Sequence, residues 1–205
     1  LAGSFLADYE TIKILIDLKE HEKAEYEAVR NEYKDFLRQK EISMGGYGGW
    51  NQFIRVAARS AQGRSAFQAY LRSKQLAQSA QGKIECLEKL VHRHKDTKMI
   101  IFTNDNSTAY RISKQFLLPC ITHQTNVKER RELLLAFSEG RLPVLVTSRV
   151  LNEGVDIPAA EIAVVLSGTG TVREHVQRLG RILRPMKGKQ AVLYELVAKD
   201  TAKEY

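Results

Sequence analysis

The chain has 205 residues, 43% of them hydrophobic and 27% charged, which is room for one full globular domain and a small second unit. Its 32 Lys and Arg against 24 Asp and Glu leave a formal net charge of +8, a balance that suits a polyanionic partner. No apolar run approaches the roughly 20 residues a membrane-spanning helix requires. Cys86 and Cys120 are too few and too isolated for a disulfide framework or a zinc site. These features predict a soluble, cytoplasmic protein with reduced thiols, and the opening Leu1, with no charged-then-apolar leader, reads as a fragment.

In chain order, Ile12-Lys13-Ile14-Leu15-Ile16-Asp17-Leu18 combines β-branched residues with partial alternation and predicts a strand. From Glu20 to about Lys40 the spacing turns helical, with Tyr26, Val29, Tyr33, Phe36 and Leu37 recurring at three and four as a packing face. The run Gly45-Gly46-Tyr47-Gly48-Gly49 interrupts it, because so many glycines cannot sustain a helix cheaply. Two further helices are predicted, from about Asn51 to Ser60 and from Ser65 to Ala80, with Phe53, Ile54, Phe67, Tyr70 and Leu71 as their core.

This stretch is also where the charge lies. Between Ile42 and Ile84 there is no Asp or Glu, while Arg55, Arg59, Arg64, Arg72, Lys74 and Lys83 supply six positive charges. Spaced arginines without acids favour a nucleic-acid backbone. Tyr47 and Trp50 beside the glycine loop could lay a ring against a sugar or base. A basic helical hairpin with no nucleic-acid role is the alternative reading.

From Lys83 onward helix and strand alternate. Ile84 to Lys95 has helical spacing, and His92 and His94, two residues apart on it, point in different directions and read as surface histidines. Met99–Phe102 is a short buried strand, and Thr103-Asn104-Asp105-Asn106 supplies capping oxygens before a helix through Tyr110, Ile112 and Phe116. Cys120–Thr122 is a strand, Asn126 to Phe137 a helix closed by Gly140, and Val144–Val146, Ile162–Leu166 and Ala191–Leu196 are further strands. Continuous apolar strands between helices predict a parallel sheet covered on both faces. Ligands of such a sheet bind beyond the carboxyl ends of its strands. Thr103, Gln124, Thr147, Ser148, Ser167 and Gly168 all follow predicted strands and should share that edge, where Thr147 and Ser148 offer hydroxyls to a phosphate.

The segment Thr147–Pro158 and the helix predicted from Thr171 to Arg184 carry the densest signal. On that helix Arg173, Gln177, Arg181 and Arg184 fall within about 80° of one another, opposite Val172, His175, Val176, Leu179, Ile182 and Leu183. Pro185 stops it. Three guanidiniums on one stripe suit phosphates, whose oxyanions accept the planar fork bidentately; a solvated basic face is the alternative. Gly154 permits close backbone approach, and Asp156 either accepts from a ribose or orders the turn before Pro158. The chain contains no G-x-x-x-x-G-K-[ST] phosphate loop and no two adjacent acidic residues, so it lacks two parts that a complete ATP-driven motor needs.

Gln177-Arg178-Leu179-Gly180-Arg181-Ile182-Leu183-Arg184 resembles motif VI of superfamily 2 helicases, and Thr147–Pro158 resembles their motif V. With the linking Leu166–Thr171 and the following Arg184-Pro185-Met186-Lys187-Gly188-Lys189, the chain is similar to the carboxyl-terminal half of the XPB helicases (xeroderma pigmentosum group B) in their archaeal form. The resemblance implies an α/β fold: a three-layer αβα RecA-like domain with a mostly parallel sheet of about six strands, plus a small all-helical insertion. It divides the chain into an incoming segment and strand (1–19), a basic helical "thumb" (20–82) and RecA-like helicase domain 2 (83–205).

By the same resemblance, ATP with Mg2+ would bind between this lobe and a first lobe. Gln177, Arg181 and Arg184 would face the γ-phosphate, Arg178 would brace the lobe interface, and Gly154 and Asp156 would contact the nucleotide. Thr103, Gln124, Thr147, Ser148, Ser167, Gly168, Arg55, Arg59 and Arg64 would contact DNA. The implied partners are DNA, the amino-terminal helicase half and a repair nuclease, in an archaeal cytoplasm at the nucleoid. The implied task is 3′ to 5′ movement in nucleotide excision repair, the isolated chain being inactive as an ATPase. The second lobe of another superfamily 2 translocase, or a stand-alone DNA-binding or docking module, are the competing readings.

Overall fold

The computed structural model describes residues 9–45, 47–148, 159–166, 183 and 191–201. Six strands form one sheet: β1 (Tyr9–Ile16), β2 (Met99–Phe102), β3 (Cys120–Ile121), β4 (Val144–Thr147), β5 (Ile162–Leu166) and β6 (Ala191–Ala198). Six helices join or cover them: α1 (Glu20–Gln39), α2 (Gly49–Ala57), α3 (Ala61–Gln78), α4 (Gln81–Arg93), α5 (Asn106–Phe116) and α6 (Val127–Ser138). The strand order is β1-β6-β5-β2-β4-β3, and each of these pairings is parallel.

Strand composition accounts for this order. Every residue of β2, β4 and β5 is buried, as strands covered on both faces must be. β1 alternates instead, with Ile12, Ile14 and Ile16 partly buried and Thr11, Lys13 and Leu15 exposed, and it occupies an edge. On one face of the sheet Ile84, Leu87 and Leu90 of α4 and Ile112 of α5 meet Met99, Ile101, Val146 and Val164. On the other, Phe137 of α6 meets Ile100, Leu145, Val165 and Leu193. Successive residues of β2 thus serve opposite cores, and three layers result.

The helical insertion, α1 to α3, has its own small core of Phe36, Leu37, Ile42, Phe53, Ala57 and Ala66. Its aromatic residues pack tightly: Trp50 lies 5.4 Å from Tyr70 and 6.0 Å from Phe53, and Tyr70 meets Tyr33 edge-on at 5.4 Å. Two glycines make the hairpin possible by close approach. A side chain at Gly63 would run into the Ala57 carbonyl, and one at Gly49 into the Ser43 carbonyl.

Several boundaries differ from the sequence reading. β1 begins at Tyr9 and ends at Ile16, because its partner β6 extends through Ala198 in register. α2 starts at Gly49, two residues before the expected Asn51, since Gly48 takes a left-handed φ of 77° and turns the chain directly into the helix. α3 starts at Ala61, because the Ser60 hydroxyl accepts from the Gly63 amide at 2.9 Å. Ile54 and Leu71, expected in the core, are 40% and 42% exposed, whereas Phe53 is fully buried there with Phe67 and Tyr70 packed against its cluster. Leu183, expected on a helix, forms a parallel β-bridge with Ala160, and the other residues of that expected helix lie outside the described residues. Leu183 is nonetheless fully buried, as its place on the apolar side requires. His94 is not a free surface histidine: its Nε2 lies 3.1 Å from the Tyr194 hydroxyl.

Candidate nucleic-acid interface

Because the paired strands all run the same way, their carboxyl ends lie along one edge, with β2 and β3 on either side of β4. Thr103, Thr147 and Ser148 are buried at that edge, 2%, 0% and 2% exposed. Two of the three hydroxyls are spent on the main chain. Thr103 Oγ1 donates to the Asp105 carbonyl at 2.9 Å and Thr147 Oγ1 to the Ser148 carbonyl at 2.9 Å. The Thr103 amide bonds the Thr147 carbonyl, and the Ser148 amide bonds the Ile121 carbonyl, tying three strand ends together. Ser148 Oγ has no partner among the described residues.

Asn104 adds a second unused donor. The sequence places it among capping oxygens, yet the cap of α5 is Asp105, whose carboxylate accepts from the Thr108 amide at 2.8 Å and the Thr108 hydroxyl at 2.9 Å. Asn104 Nδ2 is buried with no partner among the described residues. A buried donor left unpaired costs free energy, so two of them at one sheet edge mark a place where an acceptor from outside would be welcome.

The loop after β3 is held by side chains from α5. The Tyr110 hydroxyl lies 2.7 Å from Thr122 Oγ1 and donates to Gln124 Oε1 at 3.0 Å. Asn106 Nδ2 lies 2.7 Å from His123 Nδ1, and the Thr122 amide donates to Thr125 Oγ1 at 2.9 Å. Arg130 reaches back from α6 to the Thr125 carbonyl at 3.2 Å. In the sequence Tyr110 is one more member of an apolar stripe; only the fold brings its hydroxyl to Gln124.

The basic insertion divides into charges that are used internally and charges that are not. Arg72 makes a two-pronged pair with Glu25 of α1, at 2.5 and 3.0 Å, and its guanidinium holds the Glu25 carboxyl below the usual carboxylate range. Lys83 is fully buried and donates to the Ala77 carbonyl at 2.6 Å. Lys74 sits 4.6 Å from the centre of the Tyr70 ring. Arg64 touches the Ala58 carbonyl at 3.3 Å but stays exposed, as do Arg55 and Arg59. The acid-free stretch is therefore not acid-free in space, since α1 lays Glu25 and Glu32 against it. Tyr47 is fully exposed, and Trp50 keeps 40% exposure while packed into the aromatic cluster.

Burial pushes the Cys120 thiol up to about 11 and raises Cys86 as well, which disfavours the thiolate at both. Among the described residues no three His, Cys, Asp or Glu side chains stand close enough to hold a metal ion. No helix among them is long and apolar enough to cross a membrane. Gly154, Asp156, Ser167, Gly168, Gln177, Arg178, Arg181 and Arg184 lie outside the described residues.

Residues 82–186, just over half of the chain, match the family model of the helicase conserved C-terminal domain. The chain belongs to that family. It is 41% identical over 202 residues to the DNA 3'-5' translocase XPB2 of Sulfurisphaera tokodaii, an alignment that covers 98% of this chain and 46% of that protein. It is 36% identical over 121 residues to the DNA 3'-5' helicase XPB of Mycobacterium tuberculosis, covering 58% of this chain and 22% of the relative. The chain thus spans less than half the length of each. Among solved structures it resembles the Sulfolobus solfataricus SWI2/SNF2 ATPase C-terminal domain, with a TM-score of 0.65 at 16% identity over 96% of this chain and 82% of that one. It also resembles the core of the same ATPase solved with dsDNA, with a TM-score of 0.66 at 15% identity over 95% of this chain and 42% of that one. The RecA-like fold and the likeness to the carboxyl-terminal half of archaeal XPB, both expected from the motifs, stand. The helicase C-terminal domain match begins at residue 82, at the start of α4, so the helices α1 to α3 lie outside it.

Proposed function

We propose that this chain is the second motor lobe of an ATP-driven, XPB-type DNA translocase moving 3′ to 5′, acting in nucleotide excision repair with DNA, the first lobe and a repair nuclease as partners. The observation that carries this reading is the alignment with an archaeal XPB translocase, which runs through both the basic insertion and the α/β lobe rather than through the lobe alone. Residues 1–19 bring the chain in, 20–82 form the thumb and 83–205 the motor lobe.

In this reading DNA phosphates meet the carboxyl edge of the sheet. The Ser148 hydroxyl and the Asn104 amide donate there, Gln124, Ser167 and Gly168 are further contacts, and Thr103 and Thr147 hold the strand ends in place. Arg55, Arg59 and Arg64 add backbone contacts from the insertion, which carry no sequence information. Gly154 and Asp156 contact the nucleotide, Arg178 braces the interface, and Gln177, Arg181 and Arg184 meet the γ-phosphate of ATP. A guanidinium held in place meets the charge that builds on the transferring phosphoryl group without reorganising. In this reading the first lobe supplies the ligands of Mg2+.

The test is ATP turnover with and without DNA, for this chain alone and for the chain joined to a first lobe carrying a phosphate loop and an acidic pair. The chain alone should be inactive and the joined protein DNA-stimulated. Robust hydrolysis by the chain alone would overturn the assignment.

A further inference from the structure

The hydrogen bonds between α5 and the loop after β3 close into a ring. The Gln124 amide N–H donates to Thr122 Oγ1 at 3.2 Å. The Thr122 and Tyr110 hydroxyls are 2.7 Å apart, and the Tyr110 hydroxyl donates to Gln124 Oε1 at 3.0 Å. Each hydroxyl has one proton, so the assignment is forced in one direction. Tyr110 gives its proton to Gln124, and Thr122 must therefore give its own to Tyr110. Main-chain N–H, threonine hydroxyl, tyrosine hydroxyl and side-chain carbonyl then form a cycle in which each bond polarises the next.

The cycle has a consequence for Gln124. A glutamine amide has an acceptor end and a donor end, and an exposed one samples both orientations and many rotamers. Here the acceptor end is fixed inward on Tyr110, which leaves Nε2, with two N–H groups and no partner among the described residues, facing away from the ring. The loop follows β3, whose neighbour β4 is followed directly by Ser148, its hydroxyl without a partner among the described residues, and the Ser148 amide bonds the Ile121 carbonyl of β3. The edge thus presents donors, and a donor-only Gln124 matches a phosphate, which only accepts.

We infer that Tyr110 is a positioning residue: through Thr122 it locks the Gln124 amide with its NH2 turned outward, set in advance for a DNA phosphate oxygen. Locking a side chain before binding removes its ordering cost from the binding step. The inference rests on the reading of Gln124 as a DNA contact, and the experiment separates the two.

The experiment is a double-mutant cycle on DNA affinity, measured by fluorescence anisotropy with a labelled duplex, using the wild-type chain, Tyr110→Phe, Gln124→Ala and the double variant, with a melting temperature for each. Gln124→Ala should weaken binding about three- to tenfold, within the ordinary net range of one hydrogen bond. Tyr110→Phe keeps the ring and removes only the hydroxyl, and it should weaken binding about two- to tenfold, the range for ordering one rotamer-rich side chain. In the double variant the tyrosine change should cost nothing more, because there is no amide left to orient. A merely structural tyrosine would lower the melting temperature and weaken binding equally in both backgrounds. If Gln124→Ala binds like wild type, the DNA contact itself is wrong and the inference goes with it. If Gln124→Ala weakens binding while Tyr110→Phe does not, or if the two losses multiply, Gln124 touches DNA but Tyr110 does not position it.

Discussion

At the scale of single residues, this edge is defined by buried polar atoms that have no partner among the described residues. Ser148 Oγ is the clearest. A buried hydroxyl with no partner costs about 1–3 kcal/mol relative to one that is paired, so Ser148→Ala should leave the melting temperature unchanged or raise it slightly. The same change should weaken DNA binding several-fold, because the hydroxyl is then missing when a phosphate arrives. A drop in melting temperature together with unaltered affinity would assign Ser148 to the scaffold instead. His94 carries a second prediction. Burial, with the charge of Arg93 behind it, lowers its pKa below the ordinary 6.5, while its ring bonds the Tyr194 hydroxyl. The unfolded chain then binds a proton more readily than the folded one. Stability should be full above about pH 6.5 and decline as the pH falls through the folded pKa. Chemical denaturation across pH 5–8 checks this, and His94→Gln should flatten that part of the profile.

At the scale of elements, the strands and helices of the lobe were legible because each carries its own signal. Met99–Phe102 is apolar on both sides and can only be a central strand. Asn126 opens a helical run in the sequence, and in the fold it is the N-cap, accepting from the Glu129 amide at 2.8 Å. What could not be read is what depends on a distant element. The hydroxyl of Thr103 looked available until the end of β4 brought the Thr147 carbonyl within 3.4 Å of it, beside its local bond to the Asp105 carbonyl. Arg72 counted as a free charge until α1 placed Glu25 beside it. α2 began early because a glycine run that breaks one helix also permits the left-handed turn that starts the next.

Two predictions belong to the insertion. Replacing Arg55, Arg59 and Arg64 together with alanine should flatten the log-log salt dependence of DNA affinity by about 2 to 3, near 0.9 for each phosphate no longer neutralised. Arg72→Ala should leave that slope alone, since its fork is committed to Glu25. An unchanged slope in the triple variant would remove the insertion from the interface. Gly63→Ala should destabilise the hairpin by about 1–3 kcal/mol, as overpacking against a carbonyl does, read as an earlier unfolding transition followed by Trp50 fluorescence.

At the scale of the whole molecule, the chain spans 46% of the length of the archaeal XPB2 translocase it matches. Its sheet gathers strand ends on one edge and its insertion projects basic side chains. Its sequence contains neither a phosphate loop nor an acidic pair, and in the proposed reading a first lobe supplies both. The arginine stripe of motif VI is what the chain would contribute to that chemistry. Arginine fingers are worth about 10³- to 10⁵-fold in turnover, whereas an exposed polar face adds little to stability. The measurement that bears most directly on this role is steady-state ATP turnover at saturating DNA in the joined two-lobe protein. Wild type is compared with Arg181→Ala, Arg184→Ala and Arg184→Lys, with DNA affinity and melting temperature recorded beside it. A phosphate-facing stripe predicts a large fall in kcat for both alanine variants, poor rescue by lysine because a point charge lacks the bidentate fork, and DNA affinity and melting temperature close to wild type. Near-normal turnover in both alanine variants, or abolished DNA binding with basal hydrolysis intact, would contradict it.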